Sequence, residues 1–159
     1  MAMTMKVTGI EELSRKLAAL ESRTEEVAAR ALYDGAGVMA NAYAEAANNI
    51  QAEKFRYVFG GHKRLPSDEE KAALVGKTGI AKFDKNGSEV STAVGIGRTG
   101  YVTIGGKQKA VRKIANAINS GTSFMNKQPV FRKAATQTRE AASAAIVSKA
   151  DQLIDEITK

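Results

Sequence analysis

Apolar residues recur at three- and four-residue steps near both ends of the chain and at two-residue steps between them, and this change of period predicts the layout of the fold. Ile10, Leu13, Leu17 and Leu20 form a first stripe, the spacing that gathers side chains on one helix face. Thr8 and Glu11 stand before it with capping-box spacing, the hydroxyl accepting from the Glu11 backbone and the carboxylate reaching back. The stripe ends near Ser22. Thr24, followed by Glu25 and Glu26, then reads as the cap of a second helix, with acids in the first turn where they favour the positive end of the dipole. That longer helix runs along Ala28, Leu32, Gly35, Met39, Ala42, Ala46 and Ile50. Gly35 and Gly37 cost about 1 kcal/mol each relative to Ala in such a position, so either a bend or a close backbone crossing is expected there, with close packing preferred.

The period is lost over residues 51–67. Phe55, Tyr57, Val58 and Phe59 crowd ahead of Gly60, Gly61, His62, Lys63, Arg64, Leu65 and Pro66, which predicts an exposed, flexible loop with an aromatic foot. Ser67 caps a short helix that carries Asp68, Glu69 and Glu70 in its first turn and ends near residue 75. From Thr78 the period is two, and Asn86-Gly87 is the strongest short-range signal for a two-residue hairpin turn. Val90, Thr92, Val94 and Ile96 share one face of the second strand. A third strand follows at residues 101–104, and Gly105-Gly106 stops it. Residues 107–119 read as a helix with Val111, Ile114, Ala115 and Ile118 on its inner side. A last helix over about residues 129–157 would be roughly 40 to 45 Å long, with Pro129 in the first turn, where its missing N–H costs nothing. Its stripe is Phe131, Ala135, Thr138, Ala142, Ile146, Ala150, Leu153 and Ile157. It is expected to pack across the sheet of its own chain, or partly against a neighbouring subunit. The fold class expected is α+β, one domain over residues 1–159: a small antiparallel β-sheet packed against N-terminal helices and one long C-terminal helix.

Composition narrows the chemistry. A chain of 159 residues can bury a core large enough to fold without staples. It has no cysteine, which removes disulfides, thiolate catalysis and cysteine zinc sites and suits a reducing cytoplasm. No apolar run has the length of a signal peptide or a membrane span.

Charge is distributed unevenly. The net charge is +7, yet residues 90–139 carry nine Lys/Arg and no Asp/Glu, whereas residues 1–89 balance at 13 each and residues 140–159 carry two against four. Arg98, Lys107, Lys109, Arg112, Lys113, Lys127, Arg132, Lys133 and Arg139 hold the whole excess. They form a candidate surface for an acidic partner, a protein ring or nucleic acid, or else a solvated face.

Strings resembling nucleotide sites do not survive inspection. Gly95, Gly97 and Gly100 have the G-x-G-x-x-G spacing, but that fingerprint needs a helix next, to hold the pyrophosphate, and a strand-like segment follows. Gly76-Lys77-Thr78 lacks the leading glycine of a phosphate loop. His62 is the single histidine, in a glycine-rich basic loop, and reads as a surface residue. Most of the carboxylates stand at helix starts or on helix faces, so no catalytic, cofactor or metal site is expected, and no small-molecule substrate.

One segment carries more information than any of these. Residues 118–135 read Ile-Asn-Ser-Gly-Thr-Ser-Phe-Met-Asn-Lys-Gln-Pro-Val-Phe-Arg-Lys-Ala-Ala, a small-residue loop that delivers an aromatic anchor into the first turn of a long helix. Gly121, Thr122, Ser123, Pro129, Phe131, Ala134 and Ala135 resemble the closing signature of phage neck and tail-completion proteins, the gene-product-ten-like family of long-tailed phages. Asn119 and Ser120 stand where that pattern has an acidic residue, and Pro129 is one residue further from Phe131. A looser likeness runs through residues 9–13, 78–80 and 94–97. The resemblance implies a structural virion protein, made in the host bacterial cytoplasm and not an enzyme. It further implies a homo-oligomeric ring, a hexamer, that completes the head-proximal tail end beside other neck and tail proteins, with channel DNA nearby. Its interface would use Arg98, Lys107, Lys109, Arg112 and Lys113, with Lys63, Arg64, Tyr57 and Phe59 of the loop. Gly121, Thr122, Pro129, Phe131 and Ala135 would be structural. The alternative is a module that binds nucleic acid non-specifically through the basic 107–113 segment.

Overall fold

The computed structural model describes residues 10–53, 63–87, 89–96 and 100–158, and of residues 10–14 and 17 the backbone alone. The predicted capping box at Thr8 lies outside the described residues. The N-terminal third is one helix and not two: α1 spans Ile10–Asn48 without a break. Ser22 and Thr24 do not cap. Their hydroxyls donate to the carbonyls of Ala19 and Leu20, both at 2.9 Å, the back-bonding that lets these residues sit inside a helix.

Helix α4, Val130–Thr158, lies along α1 and not across a sheet. The two run antiparallel: Tyr43 packs on Phe131 with ring centroids 5.8 Å apart, Gly35 meets Ala142 and Ile146, and Val27 and Leu153 line one cleft. Small residues make this possible. A Cβ on Gly35 would stand 2.9 Å from the Ala142 carbonyl oxygen and closer still to Ile146, whereas one on Gly37 would meet open space. The expected close crossing is therefore at Gly35 alone. Pro129 immediately precedes the helix, its carbonyl accepting from Lys133 N–H at 2.9 Å.

Among the described residues, the middle of the chain forms three two-stranded antiparallel sheets in place of the single sheet expected. Strands β1 (Thr78–Ile80) and β4 (Val94–Ile96) pair, and β2 (Asp84–Asn86) and β3 (Glu89–Ser91) continue the same hairpin outward. The register slips by one residue between them: Ile80 faces Val94, but Asp84 faces Ser91. Three residues, 81–83, thus oppose Thr92 and Ala93, a β-bulge held by Ala81 N–H donating to the Ala93 carbonyl at 2.7 Å and Thr92 Oγ1 donating to the Ala81 carbonyl at 2.8 Å. Because the extra residue is in the first strand, Val90, Thr92, Val94 and Ile96 keep their predicted common, half-buried face. The turn lies one position later than expected, after Asn86, with Gly87 at φ +63°.

Strand β5 (Tyr101–Ile104) pairs with β6 (Lys107–Ala110) and not with β4. Gly105 and Gly106, at φ +58° and +73°, form the two-residue hairpin turn with both residues left-handed, whose twist matches the strands it joins. Residues 107–110 are consequently strand, and helix α3 begins only at Val111, ending at Ser120. Val111, Ile114, Ala115 and Ile118 are buried, as the helical period predicted. Helix α2, Asp68–Ala72, carries the expected Ser67 cap as a complete capping box and ends slightly early.

One core joins these parts. Ala46, Ala47 and Ile50 from the end of α1 pack with Leu74, Ile104, the inner face of α3, Met125, Phe131 and Ala134. The β1–β4 and β5–β6 sheets, α2 and α3 gather in a head at this end of the α1–α4 pair, while the β2–β3 hairpin reaches back along α1 to Tyr33 and Glu25.

Candidate functional site

A single buried carboxylate organises part of the head. Glu70, with its side chain 3% exposed, accepts from Arg64 Nη1 at 2.7 Å and Nη2 at 2.9 Å, from Ser67 N–H at 3.0 Å and from Lys109 Nζ at 3.3 Å. Burial alone would push the Glu70 carboxyl up. The Arg64 and Ser67 hydrogen bonds, the Arg64 charge and the Lys109 contact outweigh it and hold the carboxyl at about 2, below its ordinary 4.5. The forked Arg–carboxylate geometry suits such a site. Two cations that the sequence offers to a partner are thereby engaged within the chain: the Arg64 side chain is 11% exposed and that of Lys109 38%. The Arg64 guanidinium also lies over the Phe124 ring, 5.8 Å from its centroid. Ser67-x-x-Glu70 is legible as a capping box, but nothing local in the sequence announces Arg64 as the partner.

The 118–135 segment is a fastening. Gly121 ends α3 at φ 75°, ψ 169°, a region essentially reserved for glycine, and a Cβ there would stand 3.1–3.2 Å from Lys127 atoms. Thr122 Oγ1 accepts from Met125 N–H at 3.0 Å and Phe124 N–H at 3.3 Å, while Thr122 N–H donates to the Met125 carbonyl. Gln128 ties the loop to the chain after α1, its Oε1 accepting from Gln51 N–H and its Nε2 donating to the Gln51 carbonyl. Arg64 N–H donates to the Phe124 carbonyl, and Asn126 N–H to that of Arg64. Phe131 is buried and Ala135 half-buried.

The remaining cations face outward. Lys63, Lys107, Arg112, Lys113, Lys127, Arg132, Lys133 and Arg139 are all exposed. Tyr57, Phe59 and Arg98 lie outside the described residues. Arg112 and Lys113 occupy the first turn of α3, and Arg132 and Lys133 the first turn of α4. The Asn119 carboxamide accepts from Arg132 N–H at 3.3 Å, bringing the end of α3 to the start of α4. Neither helix has an acid in its first turn, in contrast to α2, which has three. Cations at the positive end of a helix dipole are unfavourable by about 0.3–1 kcal/mol each at low salt. Beside this pole is an open cleft of about 430 Å³, with Tyr43, Phe131, Ile80, Ile96, Arg112 and Asn116 among its lining residues.

Among the described residues no group of His, Asp and Glu is placed to hold a metal ion, and no helix is long and apolar enough to cross a membrane. The arrangement offers charge and shape to a partner. Compared with known proteins, the chain matches no family model, no curated protein and no solved structure.

Proposed function

We propose that this protein is a structural component of the head–tail neck of a long-tailed phage, in which copies form a ring that completes the head-proximal end of the tail. It acts by docking and catalyses no reaction. The observation that carries this reading is the pairing of the 118–135 segment with a basic pole: the residues behind the family resemblance fasten a loop and anchor α4, and the cations around them are exposed with no acid nearby in sequence. Gly121, Thr122 and Phe131 support it as structural residues, and Lys107, Arg112 and Lys113 as contact residues. Exposed cations on a head mounted at one end of a pair of long packed helices suit interface formation.

Peptide mass spectrometry of purified phage particles, with labelling to locate the protein along the tail, tests this. It should be found at the head-proximal tail end, and particles of a deletion strain should have tails that fail to join heads. Absence from every particle ends the reading. Non-specific nucleic-acid binding is the competitor, favoured by the exposed Lys107, Arg112 and Lys113. It has one cation fewer than the sequence suggests, because Lys109 is engaged with Glu70. Tight binding of short duplexes at about 150 mM salt would favour it.

A further inference from the structure

Helix α4 is charged against its own dipole at both ends. Arg132 and Lys133 stand in its first turn and Asp155 and Glu156 in its last, with no acid in the former and no base in the latter. Both ends thus break a local rule, and breaking it at both ends makes the helix bipolar.

The two poles cannot compensate each other within one chain. Twenty-nine residues of helix span about 43 Å, whereas charges in physiological salt are screened over about 8 Å. The buried carboxylate of the head is taken, Glu70 by Arg64 and Lys109, while at the other end of α1 Glu25 holds Lys85 and Glu26 holds Arg30. Among the described residues, Arg112, Lys113, Arg132 and Lys133 have no carboxylate partner, and Asp151, Asp155 and Glu21 have no cationic one. Because α1 runs antiparallel to α4, exposed Glu21 lies towards the same end as Asp155 and Glu156.

We infer that the basic pole formed by Arg112, Lys113, Arg132 and Lys133 receives the acidic end of the α1–α4 pair of a second copy of this chain, led by Asp151, Asp155 and Glu156. In that contact the cations meet acids, and the positive end of one α4 approaches the negative end of another. Each mismatch within the monomer becomes a match between copies. The contact is heterologous, so repeated copies close into a ring or extend as a filament according to the rotation per step. This deepens the assembly reading and rests on it.

Charge exchange tests the contact. One variant carries Arg132→Glu and Lys133→Glu, the other Asp155→Lys and Glu156→Lys; both are followed by sedimentation velocity at about 50 and 500 mM salt. Wild-type protein is expected to self-associate at low salt and to dissociate at high salt. Each variant alone should associate at least about 100-fold more weakly. An equimolar mixture of the two should recover the wild-type assembly, since each then offers the pole the other lacks. Folding is checked by thermal melting, and both variants should melt at or above the wild-type temperature because the new charges agree with the helix dipole. A wild-type protein that stays monomeric at both salts overturns the proposal, as does a mixture that fails to recover. Loss of duplex DNA binding in the first variant, with no wild-type self-association, overturns it in favour of nucleic acid. Failure here with normal incorporation into particles leaves the neck assignment standing.

Discussion

Phe83 reaches Tyr33 only because the β-hairpin carries one residue too many. The rings stand 6.2 Å apart between centroids at 55°, and the register slip after Ile80 puts Phe83 opposite Thr92, on the face that also carries Val90. Without the bulge, Lys82 would take that place. Lys85 is turned the same way and pairs with Glu25 of α1. The outer hairpin is therefore laid along α1 by one aromatic contact and one ion pair, both largely exposed, with Phe83 40% and Tyr33 56% accessible.

Phe83→Ala should release that arm without unfolding the body. An exposed aromatic pair contributes about 0.5–1.5 kcal/mol beyond its area, so amide exchange over residues 84–91 should accelerate by roughly three- to tenfold. Exchange in α1 and α4 should stay as it was. Equal acceleration throughout would show that the contact belongs to the global fold.

Gly35 and Gly37, two positions apart on α1, should respond to alanine with opposite signs. At Gly35 an added methyl meets the Ala142 backbone, which cannot swing aside, so Gly35→Ala is expected to cost about 1–3 kcal/mol from overpacking, less the ~1 kcal/mol gained in helix propensity. Gly37→Ala meets nothing within 4 Å and should gain about 0.5–1 kcal/mol. Urea unfolding of the pair decides the matter.

Stability should fall in acid through Glu70. Its carboxyl titrates at about 2 in the folded chain against 4.5 ordinarily, so its contribution is present above the ordinary value and is lost as pH falls through the folded one. The window is pH 4.5 down to 2, and the contribution is of the order of 3 kcal/mol. Glu70→Gln should flatten the profile there. Arg64→Ala, which strips the buried carboxylate of its main partner, should cost about 3–5 kcal/mol at neutral pH. A Glu70→Gln chain whose acid unfolding matches wild type would refute the assignment.

Gly121→Ala should destabilise by about 1–3 kcal/mol through backbone strain, and Thr122→Val by about 1 kcal/mol through the lost hydroxyl acceptor. If both act by loosening the strap to Arg64 and Gln51, the variants should share an increase in exchange over residues 122–128. Thr122→Ser should restore it.

Short-range patterns were legible wherever neighbours in sequence remain neighbours in the fold. The inner face of α3, the Ser67 cap, the start of α4 beside Pro129 and the common face of Val90 to Ile96 all follow from period or capping chemistry. Thr24 was misleading for a physical reason: a hydroxyl before two glutamates caps a helix end or bonds back to Leu20 within a helix, and local sequence permits both. Gly105-Gly106 permitted a strand end or a hairpin turn, and the second moved Lys107 and Lys109 from a helix to a strand. Of the candidate contact residues, the exposed charges at Arg112, Lys113 and Lys107 were readable, whereas the withdrawal of Arg64 and Lys109 was not, since both meet Glu70 through the assembled head.

By itself the sequence determined an α+β chain, the apolar faces of its helices, and an excess of positive charge confined to residues 90–139, because these depend on residue type and spacing alone. Only the tertiary structure decided that α4 lies on α1, that the hairpin bulges to aim Phe83, and which cations remain at the surface. Those outcomes depend on which backbones can approach and which charges find a partner at long sequence separation, as Gly35 approaches Ala142 and Glu70 pairs with Lys109.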